Sequence, residues 1–260
     1  GPFDHFPLNV DANGVTHDGK AIEGTLSAET GFAEGVEGNA LLLNGKAHAD
    51  YGARYDFDKE DKFSVGLWVR LKNTPAGAPL GKMENGPHFR GWDIEFHNGK
   101  ANVHLIHKWP EEVIHIQAEK DLPFDTFQHL AFTYDGSGKA AGVKLFVNGQ
   151  PVATKTLKDK LPGTIRTTAP FAIGRRGGGG SPFRVTRSGE ASGCTAPTVR
   201  AKSSRSACSR RSCSMRRCRS ASAWARCSAM AFFRAARSCS ERAFTTTPFA
   251  PWTAPARVRQ

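Results

Sequence analysis

Two carboxylates, Asp93 and Glu95, stand two residues apart in the run Gly91-Trp-Asp-Ile-Glu-Phe-His97. On an extended strand such residues share a face, about 6–7 Å apart along the chain. Two carboxyl groups at that range could perform glycoside hydrolysis if they flank the scissile bond and their environments separate their pKa values. The same oxygens could instead accept hydrogen bonds from sugar hydroxyls. His97, Asn102 and His104 follow closely and extend the polar set. Phe89 beside Arg90 and Trp109 beside Pro110 add aromatic rings in loops, where a ring face offers apolar and CH/π contact to a pyranose. The candidate ligand-binding residues are therefore Phe89, Arg90, Asp93, Glu95, His104 and Trp109. No residue is assigned a catalytic role.

Asp56, Asp58, Glu60 and Asp61 form a second acidic group ahead of the Phe63 strand. Their alternating oxygens resemble a calcium loop, but no Glu lies twelve positions after the first Asp, which rules out an EF-hand. Asp56, Asp58 and Asp61 remain candidates for a looser calcium site, and calcium is the only cofactor the sequence brings into view. His104, His107 and His115 lack the fixed spacing on a rigid element that a metal centre needs.

The elements that must position these groups are strands. Short alternating runs separated by Gly, Asn, Asp and Pro fill residues 1–183, and no stretch of helical period stands out. The candidate strands are Phe3–Leu8, Asn39–Leu43, Ala47–Tyr51, Phe63–Leu71, Gly91–His97, Ala101–Trp109, Val113–Glu119, Phe127–Asp135, Gly142–Val147, Pro151–Thr156 and Pro170–Gly174. Asn98-Gly99 and Asn148-Gly149 supply the positive φ pair of a type I′ hairpin turn. A two-residue loop at Asn98-Gly99 pairs Asp93 with His104 and Glu95 with Asn102 on one face. It pairs Trp92 with Leu105, Ile94 with Val103 and Phe96 with Ala101 on the other. One apolar and one polar face per strand predicts two antiparallel sheets packed face to face, an all-β sandwich. Trp68 is expected to pack in the core with Val65, Leu67 and Val69.

Charge and cysteine divide the chain in two. The whole carries a net charge of +12, a balance that points toward nucleic acid or a membrane surface. Residues 1–183, however, hold 20 basic and 22 acidic groups, whereas residues 184–260 hold 16 basic and two acidic. The first part therefore needs no nucleic-acid partner. All six cysteines lie in the second part, so residues 1–183 have neither a disulfide framework nor a thiolate metal site. No apolar run approaches the roughly 20 residues of a membrane helix. The opening Gly-Pro-Phe-Asp-His has no signal-peptide pattern, and the expectation is a removed signal or a slice of a longer chain.

Five segments carry a family resemblance in order. Gly38-Asn-Ala-Leu-Leu-Leu-Asn-Gly-Lys46, Phe63-Ser-Val-Gly-Leu-Trp-Val69, Gln128-His-Leu-Ala-Phe-Thr-Tyr-Asp135, Val143-Lys-Leu-Phe-Val-Asn-Gly149 and Pro170-Phe-Ala-Ile-Gly-Arg175 resemble successive strands of laminin-G-like, concanavalin A-like jelly-roll domains. Lys139-Ala-Ala-Gly-Val143 and His104-Leu-Ile-His-Lys-Trp109 are similar to the copies in large secreted bacterial proteins that also carry cytochrome-c-like domains. The resemblance implies a two-sheet antiparallel jelly roll and a glycan or extracellular-protein partner, sometimes with calcium. It also implies an extracellular, periplasmic or cell-surface location within a larger parent chain. Glucanases on this fold use a Glu-x-Asp-x-x-Glu or Glu-x-Asp-x-Glu run. Here Gly91 stands where the leading carboxylate belongs. The expected function is a non-catalytic recognition module for carbohydrate. The alternatives are a protein-binding adhesion or structural domain and, behind it, a glycoside hydrolase.

Residues 184–260 contain no Leu, Ile, Asp, Asn, His or Tyr and are dominated by Arg, Ser, Ala and Cys. That bias resembles GC-rich DNA read in the wrong frame. Glu190-Ala-Ser-Gly-Cys-Thr195, re-read in a neighbouring frame, yields Arg-Gly-Val-Arg-Leu-Tyr, which resembles the family's closing strand. The expectations are a frameshift between Gly177 and Gly189, a domain limit at residue 183 and a tail that is disordered or spuriously helical. Without its closing strand, Phe3–Leu8 would lie at an open edge.

Overall fold

A computed structural model describes residues 3–72, 74–185 and 192–202. These belong to one unit, Gly1–Ala207; a second unit, Cys208–Gln260, lies outside the described residues. Among the described residues there is no α-helix, and one 3-10 turn spans Ala140–Gly142. Everything else is strand, turn or loop, as the alternating texture predicts.

The strands form two antiparallel sheets. A ten-stranded sheet runs, in spatial order, through Gln150–Pro151, Val143–Val147, Phe127–Tyr134, Lys62–Arg70, Ser192–Lys202, Asp4–His5, Gly14–Val15 and Ala21–Ile22, with Gly31–Glu34 and Asn39–Leu43 joined beside it. A nine-stranded sheet runs through Thr154–Asp159, Glu112–Ala118, Lys100–Lys108, Gly91–His97, Pro75–Met83, Ala172–Ile173, Ala49–Asp50 and Thr25–Leu26. Arg184–Val185 pairs with Pro75–Met83 at the side. The inward faces are apolar. Phe63, Val65, Leu67, Val69, Leu130 and Phe132 of the first sheet are buried in one cluster with Trp92, Ile94, Phe96, Val103, Leu105 and Ile114 of the second. Fully burying side chains of this size contributes about 1.5–3 kcal/mol each and is the main force holding the layers together.

The hairpin that carries Asp93 and Glu95 has the register expected from its turn. Asp93 lies opposite His104, Glu95 opposite Asn102 and His97 opposite Lys100. Asn98 and Gly99 take φ of 50° and 82°, the left-handed pair that a type I′ turn requires. Asn148 and Gly149 close the second hairpin at 51° and 78°.

Three expectations are corrected, and one strand absent from them is added. Trp68 is half-buried beside His129, 5.2 Å between ring centroids, on the outward face. Period-2 alternation places it opposite Leu67 and Val69, so it cannot share their side. The Pro151–Thr156 strand is two strands in different sheets, Gln150–Pro151 and Thr154–Asp159, with the chain crossing between layers at residues 152–153. Pro75–Met83 is a central strand that its Pro and Gly content concealed. It pairs with Gly91–His97 on one side and Ala172–Ile173 on the other. Finally, Asp4–His5 is not at an open edge. Ser192–Lys202 lies between it and Lys62–Arg70, matching Asp4 with Val199 and Val65 with Val199. Strand pairing therefore continues beyond residue 183; the expected character of residues 203–260 falls outside the described residues.

Candidate functional site

The outward face of the nine-stranded sheet brings the candidate residues together. Alternation along Gly91–His97 sends Trp92, Ile94 and Phe96 to the core and Asp93 and Glu95 outward. Cross-strand register then builds two polar rows: Asp93, His104, His115 and Lys158 in one, Glu95, Asn102, Gln117 and Lys155 in the other. A third row, Met83, Gly91, Ile106 and Val113, is apolar; Phe89 and Trp109 pack on its Met83, Ile106 and Val113.

Asp93 is fully buried and does not reach solvent. Its Oδ2 accepts a hydrogen bond from Arg176 Nε at 2.6 Å, and its Oδ1 lies 2.8 Å from His104 Nδ1. Arg176 also donates through Nη2 to Glu95 Oε2 at 3.0 Å, while the Ser181 hydroxyl donates to Glu95 Oε1. Burial alone would raise the Asp93 pKa; the guanidinium of Arg176 and the His104 ring outweigh it and hold the carboxyl at about 2. The two carboxylates raise the Arg176 pKa against the opposing effect of its own burial. Asp93 and Glu95 therefore clamp the 174–183 loop onto the sheet. Backbone bonds complete the clamp, with Gly178 N to Met83 O at 2.8 Å and Ala78 N to Ser181 O at 2.9 Å. Gly177 is obligatory there, because a Cβ would stand 1.5 Å from the Pro170 carbonyl oxygen.

Sequence reasoning missed Arg176, which lies about eighty residues from its partners. The signal was present in the polar run Arg175-Arg176 ahead of four glycines, a loop able to approach a sheet closely. Sequence reasoning took Asp93, Glu95 and His104 as groups that touch ligand. The carboxylate oxygens of Asp93 and Glu95 bond within the clamp, and His104 meets Asp93 through Nδ1.

Asp93, Glu95 and His104 place ligand atoms within 4.8 Å of one another, the one such group among the described residues. The Arg176 guanidinium already pairs with both of its carboxylates, a cation supplied by the chain itself. Asp56, Asp58 and Asp61 do not converge on a metal. Asp58 Oδ1 accepts from Thr164 Oγ1 at 2.7 Å, Asp61 Oδ2 from the Asp58 amide at 2.8 Å and Asp56 Oδ1 from the Thr167 amide at 3.0 Å. These carboxylates tie the 56–61 and 164–167 loops together. Lys82 is buried close by, donating to Ala169 O at 2.6 Å with Asp56 3.9 Å away, and burial lowers its pKa.

The accessible part of the face is Phe89, Arg90, Trp109, His115 and the lysines of the edge strand. Phe89 takes φ of 52°, an uncommon backbone for a bulky residue, and Arg176 lies 5.6 Å from its ring centroid. Arg90 Nε donates to His107 O at 3.3 Å. Lys158 Nζ lies 5.5 Å from the Trp109 ring centroid. The His115 ring lies tilted against His104, 4.1 Å between centroids, and its Nε2 meets Asn102 Oδ1 at 2.8 Å. That same oxygen accepts from Gln117 Nε2 at 3.0 Å, and Asn102 Nδ2 donates to Lys100 O at 2.8 Å. Asn102 Oδ1 is an acceptor, so His115 carries its proton on Nε2 and keeps Nδ1 as an acceptor.

Burial, with the nearby charge of His104, lowers the His115 pKa to about 3. The ring is thus neutral in the fold at pH 7 but takes up a proton near 6.5 when unfolded. Its contribution is complete above about pH 6.5 and declines as pH falls toward 3. We expect His115→Gln to flatten the loss of stability between pH 6.5 and 4, measured by urea denaturation across that range. An unchanged slope would mean that His115 is not shielded.

Open clefts lie elsewhere among the described residues. A cleft of about 340 Å³ is lined by Lys59, Lys139, Lys160 and the Gly136–Gly138 turn, and one of about 370 Å³ by Leu122, Pro123, Val147 and Val152. Neither includes a candidate ligand-binding residue.

Comparisons with known proteins agree with the fold. No curated protein sequence matches the chain. Among solved structures, domain 4 of AbnA, a GH43 extracellular arabinanase from Geobacillus stearothermophilus in complex with arabinotriose, is similar at 19% identity and a TM-score of 0.50. The match covers 76% of this chain and 91% of that one. The binding domain of botulinum neurotoxin DC in complex with rat synaptotagmin II is similar at 12% identity, TM-score 0.54, over 76% of this chain and 47% of that one. A botulinum neurotoxin type C structure, from work on cell entry dependent on two ganglioside molecules, is similar at 13% identity, TM-score 0.51, with 76% and 47% covered. This chain spans about half the length of either toxin chain. At these identities the likeness establishes the fold. A family model described as the concanavalin A-like lectin/glucanases superfamily, of the laminin G type, matches residues 43–186. With the jelly-roll sheets and the matched segment in agreement, the chain belongs to the concanavalin A-like lectin/glucanases superfamily.

Proposed function

We propose that this chain is a non-catalytic recognition module that binds carbohydrate on the outward face of its nine-stranded sheet, within a larger secreted or surface protein. The observation that carries the reading is the pairing of two half-buried rings, Phe89 and Trp109, on one apolar row beside a row of fixed polar groups. Sugars present apolar C–H faces and equatorial hydroxyls, so a ring next to rigid acceptors and donors matches both. Phe89, Arg90, Trp109 and His115 are the contact residues in this reading. Asp93, Glu95 and His104 hold the surface in shape. The arabinotriose complex of one similar domain, and a similar toxin whose cell entry depends on two ganglioside molecules, support the use of this fold for saccharides.

Hydrolysis is disfavoured by the same geometry. A glycoside hydrolase needs one carboxyl protonated near neutral pH, its pKa raised by its surroundings. Asp93 is instead held at about 2 and shares Arg176 with Glu95. The synaptotagmin complex keeps a protein partner as the second reading. The domain division is also a proposal: a jelly roll followed by an Arg, Ser, Ala and Cys-rich tail that a frameshift between Gly177 and Gly189 would explain, decided by sequencing the DNA there.

Screening the protein on a glycan array, with calcium and with chelator, tests the reading. We expect binding to a defined saccharide class and no hydrolysis of the bound sugars. Binding to extracellular proteins with an empty array would replace it with the second reading.

A further inference from the structure

We propose that the ligand of this face is an anionic saccharide, one bearing a carboxylate or sulfate group, recognised by Lys155 and Lys158 beside Trp109. The inference deepens the carbohydrate reading and rests on it.

The argument begins with which charges are free. The acidic groups on the five strands that form the face already have partners. Asp93 and Glu95 bind Arg176, Glu112 lies 3.6 Å from His107, and Asp159 accepts from the Ala140 amide at 2.6 Å. The cations are different. Among the described residues, neither Lys155 nor Lys158 has a carboxylate within ion-pair distance, and Arg90 reaches only a backbone carbonyl. Cross-strand register fixes where the lysines stand: Lys158 opposite His115 and Lys155 opposite Gln117, at the outward end of the two polar rows. A lowered His115 pKa, to which Lys158 contributes, is consistent with a positive potential there.

Trp109 supplies the second line of argument. Lys158 Nζ sits 5.5 Å from its ring centroid, so the ring face that a sugar would use carries an ammonium group. A neutral sugar stacking on that face displaces a cation–π partner worth about 0.5–1 kcal/mol. An acidic sugar brings its own counter-charge to the displaced ammonium and to Lys155. A charge-assisted hydrogen bond of that kind is roughly twice as strong as a neutral one. The arrangement therefore penalises uncharged saccharides and rewards anionic ones. Lysines on an edge strand also discourage sheet-to-sheet aggregation, but that role needs no tryptophan beneath the ammonium.

Matched pairs of oligosaccharides test this by calorimetry: an oligogalacturonate against its methyl ester, a sialylated glycan against its asialo form, and a sulfated glycan against its desulfated form. At about 50 mM salt the acidic member of at least one pair is expected to bind tenfold or more tightly, with the advantage shrinking as salt rises. Combined Lys155→Glu and Lys158→Glu exchange is expected to remove that preference without shifting the melting temperature by more than a few degrees. Equal binding within every pair would overturn the charge inference and leave carbohydrate binding standing. So would an acid preference that survives the double exchange in folded protein. Failure to bind any member, acidic or neutral, would overturn both.

Discussion

Arg176→Ala is expected to destabilise the protein by about 3–5 kcal/mol at pH 7, the cost of stranding a buried charge. Asp93 has no route to solvent, and Arg176 is its strongest partner, through a 2.6 Å hydrogen bond. Removing the guanidinium leaves a carboxylate facing only His104, and Glu95 loses the 3.0 Å bond that fixes its rotamer. The Gly174–Ser181 segment then keeps its backbone bonds but loses its side-chain anchor. Asp93→Asn in the same background removes the stranded charge and is expected to recover part of the loss.

The acid limb of the stability curve separates this account from a simple packing defect. In the parent protein the folded Asp93 pKa, about 2, lies below its unfolded value near 3.8. The clamp is therefore complete above about pH 4 and is lost as pH falls toward 2, for a total of about 2 kcal/mol. In Arg176→Ala the balance reverses: burial dominates, the Asp93 pKa rises, and acidification into the pH 4–5 range relieves the strain rather than adding to it. Urea denaturation of both proteins from pH 7 to 3 is expected to give converging curves. Parallel curves would show that Arg176 acts by packing alone.

The second large effect is on binding. Trp109→Ala is expected to weaken glycan affinity by at least about 2 kcal/mol, roughly thirty-fold in Kd, as a central aromatic contact does. The stability cost is smaller, about 1 kcal/mol, because the ring is only half-buried on a cluster of three apolar side chains. Trp109→Phe keeps a ring face and is expected to recover most of the affinity. Measured Kd values for the three proteins on one saccharide check the order; equal Kd values would remove Trp109 from the site.

The hairpin was legible because two independent signals agreed. An Asn-Gly pair fixed the turn, and alternation over Trp92–Phe96 and Ala101–Leu105 fixed the faces, leaving one register. Pro75–Met83 was not legible, since Pro and Gly argue against a central strand. There Gly81 is needed because Asp93 crowds it, with a Cβ meeting Asp93 Cβ at 2.7 Å. Trp68 was misplaced by treating a run of apolar letters as one face. The site was half legible. The outward polar rows follow from register, but the Arg176 clamp joins residues far apart in sequence, which neither periodicity nor spacing can report. Reading Asp93 and Glu95 as ligand contacts followed from their exposure on a lone hairpin. The 174–183 loop covers them.

Residue-resolved NMR decides the central claim most directly. Titrating ¹⁵N-labelled protein with a saccharide selected on the array follows the Trp109 indole N–H alongside those of Trp68 and Trp92. The account predicts saturable shifts at Trp109 and in the backbone of Phe89, Arg90 and His115, with Trp68 silent on the opposite sheet. Shifts confined to Trp68 and the ten-stranded sheet, or to the cleft around Gly136–Gly138, would contradict it.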